Sequence, residues 1–271
     1  MNYYFITDNP EIAGYVDACG VERIFIDLEI LGKAARQGGR DTLISRHRAE
    51  NIAPVKRSLN AAKLLVRVNP LNEGTPREVD AAIAAGADFL MLPMFRSADE
   101  VHRFCRFVGG RAGVIPLAET AAAIADVERL VHVECVSEIH VGLNDLHLDL
   151  GLTFMFQTMA DGTVDRLAEC CRNANMPLGV GGISSVGQGL VPGEMVLAEH
   201  RRIGSTATIL ARTFHQKATS LADLQAKVDF PAELAKLRAA WEELAVRTDE
   251  QIETDHQEFC KAVSQVVAKI A

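Results

Sequence analysis

The sequence predicts an α/β fold: a parallel TIM (β/α)8 barrel with extra C-terminal helices. Three observations carry that prediction. Short apolar runs of strand character alternate with helical patterns, which is how βαβ units and a parallel sheet read. Eight such runs fall between residues 3 and 211, and eight units suit a closed barrel, typically about 250 residues long. No GxGxxG follows the first run. That weakens the alternative, an open doubly wound sheet.

The elements follow in order. YYFIT (3–7) is a strand, and a helix runs from Pro10 to about Cys19. RIFIDL (23–28) and KLLVRV (63–68) are the second and third strands, with PREVDAAIAAGA (76–87) the helix after the third. DFLMLP (88–93), AGVIPL (112–117), SEIHVG (137–142), PLGVGG (177–182) and TATILA (206–211) complete the eight. Helical segments such as ADEVHRFCRFV and VDRLAECCRNA separate them.

Composition bounds the partners. The 271 residues are 48% hydrophobic and 24% charged, with a formal net charge of −8. This disfavours a dedicated nucleic-acid binder but allows anionic small ligands, since a local basic pocket can sit on an acidic protein. No apolar stretch approaches the ~20 residues that span a bilayer. MNYYFITDNP lacks the basic and apolar regions of a signal peptide. The six cysteines are scattered with no CxxC. They predict reduced core thiols in a cytoplasmic protein.

Two stretches exceed what a barrel needs. Residues 30–51 form a long loop after the second strand, with Gly38, Gly39 and the basic residues Lys33, Arg36, Arg40, Arg46 and Arg48. Such a loop is either functional or a solvated surface. The second stretch divides the chain into a barrel domain, 1–218, and a helical extension, 219–271. The extension has apolar residues at Leu234, Leu237, Trp241, Leu244 and Val246. That apolar face needs a partner, and another subunit would supply one.

Charges at strand ends mark the candidate site, because strand C-termini converge on one pocket in a parallel barrel. Glu119 ends the fifth strand and Asp145 follows the sixth, so adjacent strands bring the two carboxylates together. Hard oxygen ligands of this kind suit Mg²⁺ or Mn²⁺, with water and substrate oxygens completing the shell. The bland alternative makes each carboxylate a helix cap. Arg67 shares a strand face with Leu65 and Asn69. It needs an anionic partner there, either a carboxylate or enolate substrate or a buried pairing with Asp27 or Glu29. Asp27 and Glu29 end the second strand; they orient Arg67, bind water near a metal, or act in proton transfer. His47 and His147 are loop candidates for acid–base work or simply solvated. The backbone N–H groups of Gly142, Leu143 and Asn144 can cradle a carboxylate. The glycine-rich run 179–189 is either a phosphate loop or a tight turn with helix caps. Lys63 opens its strand and faces the wrong end, which disfavours Schiff-base chemistry.

Four segments carry a family resemblance: VRVN around Arg67, AAGADFLMLPMF, PLAET with Glu119 and VGLNDLHLDLG with Asp145. In their order and spacing, over roughly residues 20–215, the chain resembles the HpcH/HpaI aldolase and citrate lyase β-subunit family of the phosphoenolpyruvate/pyruvate barrel superfamily. The resemblance implies that Glu119 and Asp145 ligate Mg²⁺ or Mn²⁺. It implies that Arg67 contacts a pyruvate-like oxygen and that the amides around Leu143 and Asn144 hold the carboxylate. The metal would act as a Lewis acid. The implied activity is that of a metal-dependent carbon–carbon lyase or aldolase acting on a 2-oxo acid, with an aldehyde or thioester as second partner. It further implies C-terminal helices exchanged within a homo-oligomer, a trimer or hexamer. Two positions depart from the family pattern. Ile30 closes the run Asp27-Leu28-Glu29-Ile30 where the family has a reactive residue, and Met94 stands where the lyase branch often has Lys. His47 is the candidate to supply the missing acid–base group. An acyl-CoA lyase of the citramalyl or malyl type and a non-catalytic keto-acid-binding barrel are the alternatives.

Overall fold

Eight strands close on themselves in chain order: Asn2–Ile6 (β1), Arg23–Asp27 (β2), Lys63–Arg67 (β3), Phe89–Leu92 (β4), Gly113–Ala118 (β5), Ile139–Val141 (β6), Leu178–Ile183 (β7) and Ala207–Leu210 (β8). The pairings between neighbours are parallel, including β8 onto β1. The computed structural model describes residues 1–33 and 47–270. Arg36, Gly38, Gly39, Arg40 and Arg46 of the predicted basic loop lie outside the described residues.

The helices of the described residues are Pro10–Ala18 (α1), Ile52–Ser58 (α2), Thr75–Ala84 (α3), Ala98–Val108 (α4), Ala121–Ala125 (α5), Val127–Leu130 (α6), Leu143–Asp149 (α7), Gln157–Ala160 (α8), Thr163–Asn173 (α9) and Gly193–Ile203 (α10). Three more follow β8: Leu221–Lys227 (α11), Phe230–Leu244 (α12) and Asp249–Ile270 (α13). Local chemistry sets their ends. Asn9 accepts from the Glu11 and Ile12 N–H groups just before Pro10. Ser97 caps α4, and Gly109 ends it in the left-handed conformation at φ 61°. Such caps satisfy N–H groups that the helix itself leaves open.

Period-two alternation splits each strand between two cores. Tyr4, Phe25, Leu65, Met91 and Ile115 fill the barrel interior, while Phe5, Ile24, Leu64, Leu90 and Val114 pack outward under the helices. Each such buried side chain contributes about 1.5–3 kcal/mol. Large interior rings are matched by glycine on the neighbouring strand. A Cβ at Gly179 would overlap the His140 ring, and one at Gly113 would overlap Phe89. At the closed end, Arg23 pairs with Glu138 at 2.7 Å, and the Tyr4 hydroxyl joins both. Polar groups at the N-terminal end of barrel strands belong to stability rather than to chemistry.

The structure corrects one expectation and shows what covers much of the C-terminal helices. Cys105 on α4 and Cys135 are joined as a disulfide, where the sequence predicts free thiols; helix and loop bring their Cα atoms to 6.0 Å. The apolar face of the C-terminal helices is covered within the chain itself. Leu234, Leu237 and Leu244 are buried, α12 and α13 lie on α10, and α13 reaches α8. Phe230 packs against the rings of Phe5, Tyr15 and Phe214. Glu199 on α10 clamps α13 by accepting from His256 at 3.0 Å while also pairing with Arg202. Val246 stays exposed.

Candidate active site

The C-terminal ends of the strands surround a cavity of about 610 Å³. Asp27, Lys33, Arg67, Glu119, Asn144 and Asp145 supply charge and polarity on its β2–β6 side. Phe154, Met155 and Phe156, from the segment after α7, give it an apolar wall, and Leu190, Val191 and Leu210 add to that wall from β7 and β8. Phe156 stacks edge-on against both Phe154 and Phe259 of α13, so the extension supports this wall.

Glu119 stands one residue beyond β5 and is 2% exposed. Its Oε1 accepts the Met94 N–H at 2.9 Å. Met94 holds φ 54°, an unusual conformation for a residue with a side chain. Position 94 therefore contributes its backbone amide here. Burial first, then Asp145 and Glu29, push the Glu119 carboxyl up to about 8 against the opposing pull of Arg67 and the Met94 amide. Asp145, 7% exposed, lies in the first turn of α7 and lines the same cavity. The helix-cap alternatives fail for both residues. Thr120 caps α5 through the Ala123 N–H, and Asp145 is inside its helix rather than before it.

Arg67 leaves β3 toward the cavity and meets the β2 acids. Its Nε and Nη2 donate to Asp27 Oδ1 and Oδ2, each at 2.8 Å, and its Nη1 lies 3.4 Å from Glu29 Oε2. Burial opposes its charge, but Asp27, Glu29 and Glu119 outweigh burial and hold the guanidinium above its ordinary pKa. Lys33 is the surprise. Counted in sequence as part of a basic loop, it is 3% exposed and pairs with Asp27 and Glu29. Burial raises the Asp27 carboxyl, and Arg67 and Lys33 overcome it to leave Asp27 well below the usual carboxylate range. Asn69 Oδ1 accepts the N–H groups of Ile30 and Leu31 at 2.9 Å and fixes the turn after β2.

The histidines and amides are placed differently from the sequence reading. His47 Nδ1 accepts the Asp27 N–H at 3.0 Å, and His47 is not among the cavity-lining residues. Burial lowers its pKa. Its ring lies between the Asp27 backbone and the Asp8 carboxylate, whose Oδ1 is 3.8 Å from Nε2. His147 Nδ1 meets the Leu143 carbonyl at 3.1 Å and is likewise off the cavity wall. The Gly142 N–H is spent on the Ala118 carbonyl at 3.0 Å, so Gly142 offers no donor. Its role is spatial: a Cβ there would sit 2.7 Å from Glu119 Oε2. Leu143 and Asn144 open α7, where N–H groups have no partner within the helix.

Sequence reasoning missed His140, on the cavity floor, and Arg212, on the wall beyond β8. His140 looked like a strand residue of no special role. Arg212 fell one residue outside the last predicted strand.

The observed residues fit a divalent cation. Two buried carboxylates from adjacent strands share one cavity, and burial together with like charge raises Glu119, an unfavourable arrangement that a cation would relieve. Among the described residues no three His, Cys, Asp or Glu side chains form a ready cage. Water and substrate oxygens would have to complete the shell.

The fold and this mouth define a (β/α)8 barrel whose charged groups gather at the C-terminal ends of its strands. The family model for HpcH/HpaI aldolase/citrate lyase matches residues 3–179, and the chain belongs to that family. The fold is similar to that of a HpcH/HpaI aldolase/citrate lyase family protein from Burkholderia cenocepacia, with TM-score 0.62 and 17% identity over 90% of this chain and 94% of that one. It is also similar to RipC from Yersinia pestis, with TM-score 0.59 and 16% identity over 93% and 98%. A HpcH/HpaI aldolase from Desulfitobacterium hafniense gives TM-score 0.58 and 13% identity over 78% and 85%. One stretch of 73 residues is 33% identical to a 4-hydroxy-4-methyl-2-oxoglutarate aldolase from Chaetomium globosum, and spans 27% of that relative's length. Among the described residues no helix is long and apolar enough to cross a membrane.

Proposed function

We propose that this chain is a divalent-metal-dependent carbon–carbon lyase or aldolase that works on a 2-oxo acid through a pyruvate-type enolate. The observation that carries the reading is the pair Glu119 and Asp145, buried together at one cavity, with Glu119 pushed up to about 8. In this reading the two carboxylates hold Mg²⁺ or Mn²⁺. When bound, the cation supplies Lewis acidity at the 2-oxo group.

The chain's own residues would do the rest. Arg67, fixed by Asp27, presents a positive charge toward the oxygen on which enolate charge develops. The Leu143 and Asn144 amides hold the substrate carboxylate. Asp27 and Glu29 orient Arg67 rather than move protons, and His47 supports Asp27 through its backbone amide. The aldolase named among the relatives and the family itself support cleavage of a hydroxylated 2-oxo acid: the carbinol O–H gives its proton to water in the cavity, the bond between C3 and the carbinol carbon breaks, its electron pair stays on the enolate, an aldehyde or ketone leaves, and the enolate takes up a proton from water at C3.

The test is exchange of the pyruvate methyl protons with deuterium, followed by proton NMR, with Mg²⁺, with Mn²⁺ and with chelator. Metal-dependent exchange that disappears in Glu119→Gln and Asp145→Asn is expected. Absence of exchange with either metal would overturn the enolate reading.

A further inference from the structure

The cavity has two unlike faces. Its charged groups sit on the β2–β6 side, and its apolar wall is built from Phe154, Met155, Phe156, Leu190, Val191 and Leu210. In the closed order β7 lies opposite β3, so the wall faces Arg67 across the mouth. Phe154, Phe156, Val191 and Leu210 are buried, and Phe156 is braced edge-on by Phe154 and Phe259. Gly189, at φ 99°, turns the loop after β7, beyond which Leu190 stays exposed at the rim and Val191 is buried. The cavity volume of about 610 Å³ falls within the roughly 300–1,000 Å³ that encloses drug-sized ligands, far more than pyruvate fills.

The polar groups that interrupt this side are already engaged. Thr213 Oγ1 accepts the Ser185 N–H at 2.9 Å. His215 Nδ1 accepts the Lys217 N–H at 3.1 Å, and burial first, then Arg212, lowers the pKa of its ring. Arg212 has an interaction of its own. On the opposite side Lys33 and Arg67 are committed to Asp27 and Glu29. A charged end of a ligand would lose its hydration against this wall without a partner held in reserve for it.

We propose that the second substrate is an aldehyde or ketone with an uncharged apolar substituent, and that this substituent lies against the wall of Phe154, Met155, Phe156, Leu190, Val191 and Leu210. The proposal rests on the lyase or aldolase reading above. With the enolate oxygens turned toward the Glu119, Asp145 and Arg67 side, C3 points across the cavity toward the wall. The carbonyl compound that joins or leaves C3 then has its substituent on apolar surface, where its removal from water is favourable.

The test is calorimetric titration of the full chain with Mg²⁺, using pyruvate, 2-oxobutanoate, 2-oxohexanoate and 2-oxooctanoate. These acids carry an alkyl chain on C3, where the second substrate's substituent stands in the joined molecule. A further ligand, 2-oxoadipate, has the chain of 2-oxohexanoate but ends in a second carboxylate. Affinity is expected to rise about three- to fourfold per added methylene, and 2-oxoadipate should bind more weakly than 2-oxohexanoate. Leu190 is 69% exposed, so Leu190→Ser leaves the core intact. It should weaken 2-oxooctanoate binding about two- to tenfold, and Leu190→Met should restore it. Equal affinity across the series overturns the proposal, as does 2-oxoadipate binding as tightly as 2-oxohexanoate. Displacement of 2-oxooctanoate by free coenzyme A would overturn it too, because the wall would then hold a thioester arm. Pyruvate methyl exchange without a chain-length gain would sink this proposal alone. A chain-length gain without exchange would sink the enolate reading alone.

Discussion

Arg67 grips Asp27 with two parallel hydrogen bonds, Nε to Oδ1 and Nη2 to Oδ2, both at 2.8 Å. A lysine cannot reproduce that fork. Arg67→Lys should lower stability by about 1.5–3 kcal/mol, since a buried charge-assisted pair is left half made. It should also reduce pyruvate methyl exchange at least as strongly as it reduces stability. Urea denaturation and NMR exchange on the same preparation check both parts. A variant of unchanged stability would show that the fork does not hold this end of the barrel.

Gly142 has room for no side chain. A Cβ would lie 2.7 Å from Glu119 Oε2 and 2.8 Å from Glu119 Cβ. Gly142→Ala should therefore displace the Glu119 carboxylate, cost about 1–3 kcal/mol by overpacking, and weaken Mn²⁺ binding. Electron paramagnetic resonance of free Mn²⁺ reads the affinity directly, and wild-type affinity in the variant would refute the displacement.

Glu119 gives the metal-free protein a slope in pH. Its folded pKa is raised from 4.5 to about 8 by burial first, then by Asp145 and Glu29. Between those values the folded chain holds a proton that the unfolded chain has released, so stability falls as pH rises through the window. Glu119→Gln should flatten that fall. Urea midpoints at pH 5 and pH 8 in chelator measure it; equal slopes in wild type and variant would contradict the assignment.

His200 acts at the other end of the scale. Burial first, and then His140, lowers it to about 3, and its Nδ1 meets the Ser205 hydroxyl at 2.9 Å. The unfolded chain takes up a proton near 6.5 while the folded chain stays neutral. Stability from this group is present above 6.5 and is lost as pH falls toward 3. His200→Gln should be less stable at pH 7 but lose less on acidification, as thermal melts at both values would reveal.

Phe259 tests the link between extension and cavity. It is fully buried and touches Phe156 of the cavity wall. Phe259→Ala should cost about 3–5 kcal/mol and raise KM for the second substrate more than it lowers kcat. Phe259→Leu should recover most of the loss.

The barrel was legible because strand and helix periods differ and the sequence keeps them apart. The predicted strand 63–68 is observed as Lys63–Arg67, and the predicted helix 98–108 as Ala98–Val108. Glu119, Asp145 and Arg67 were visible as charges at the ends of apolar runs, a position that only a shared pocket makes tolerable. Lys33 was not visible. Its burial depends on Asp27 and Glu29 already standing beside Arg67, a condition set by strand pairing rather than by local pattern. The placing of His47 was hidden for a related reason: a loop position says nothing about which side of Asp27 the ring will occupy. The C-terminal helices showed their apolar face in sequence, but only α10 and the barrel wall reveal what covers it.

Gly179 and His140 occupy one space between them, since a Cβ on the first would overlap the ring of the second. The two positions are therefore a single heritable unit. Any change that enlarges residue 179 needs a smaller residue at 140 in the same molecule, and a mutagenesis library that varies position 179 alone will return little besides glycine. Redesign of the cavity floor has to start with paired substitutions across β6 and β7.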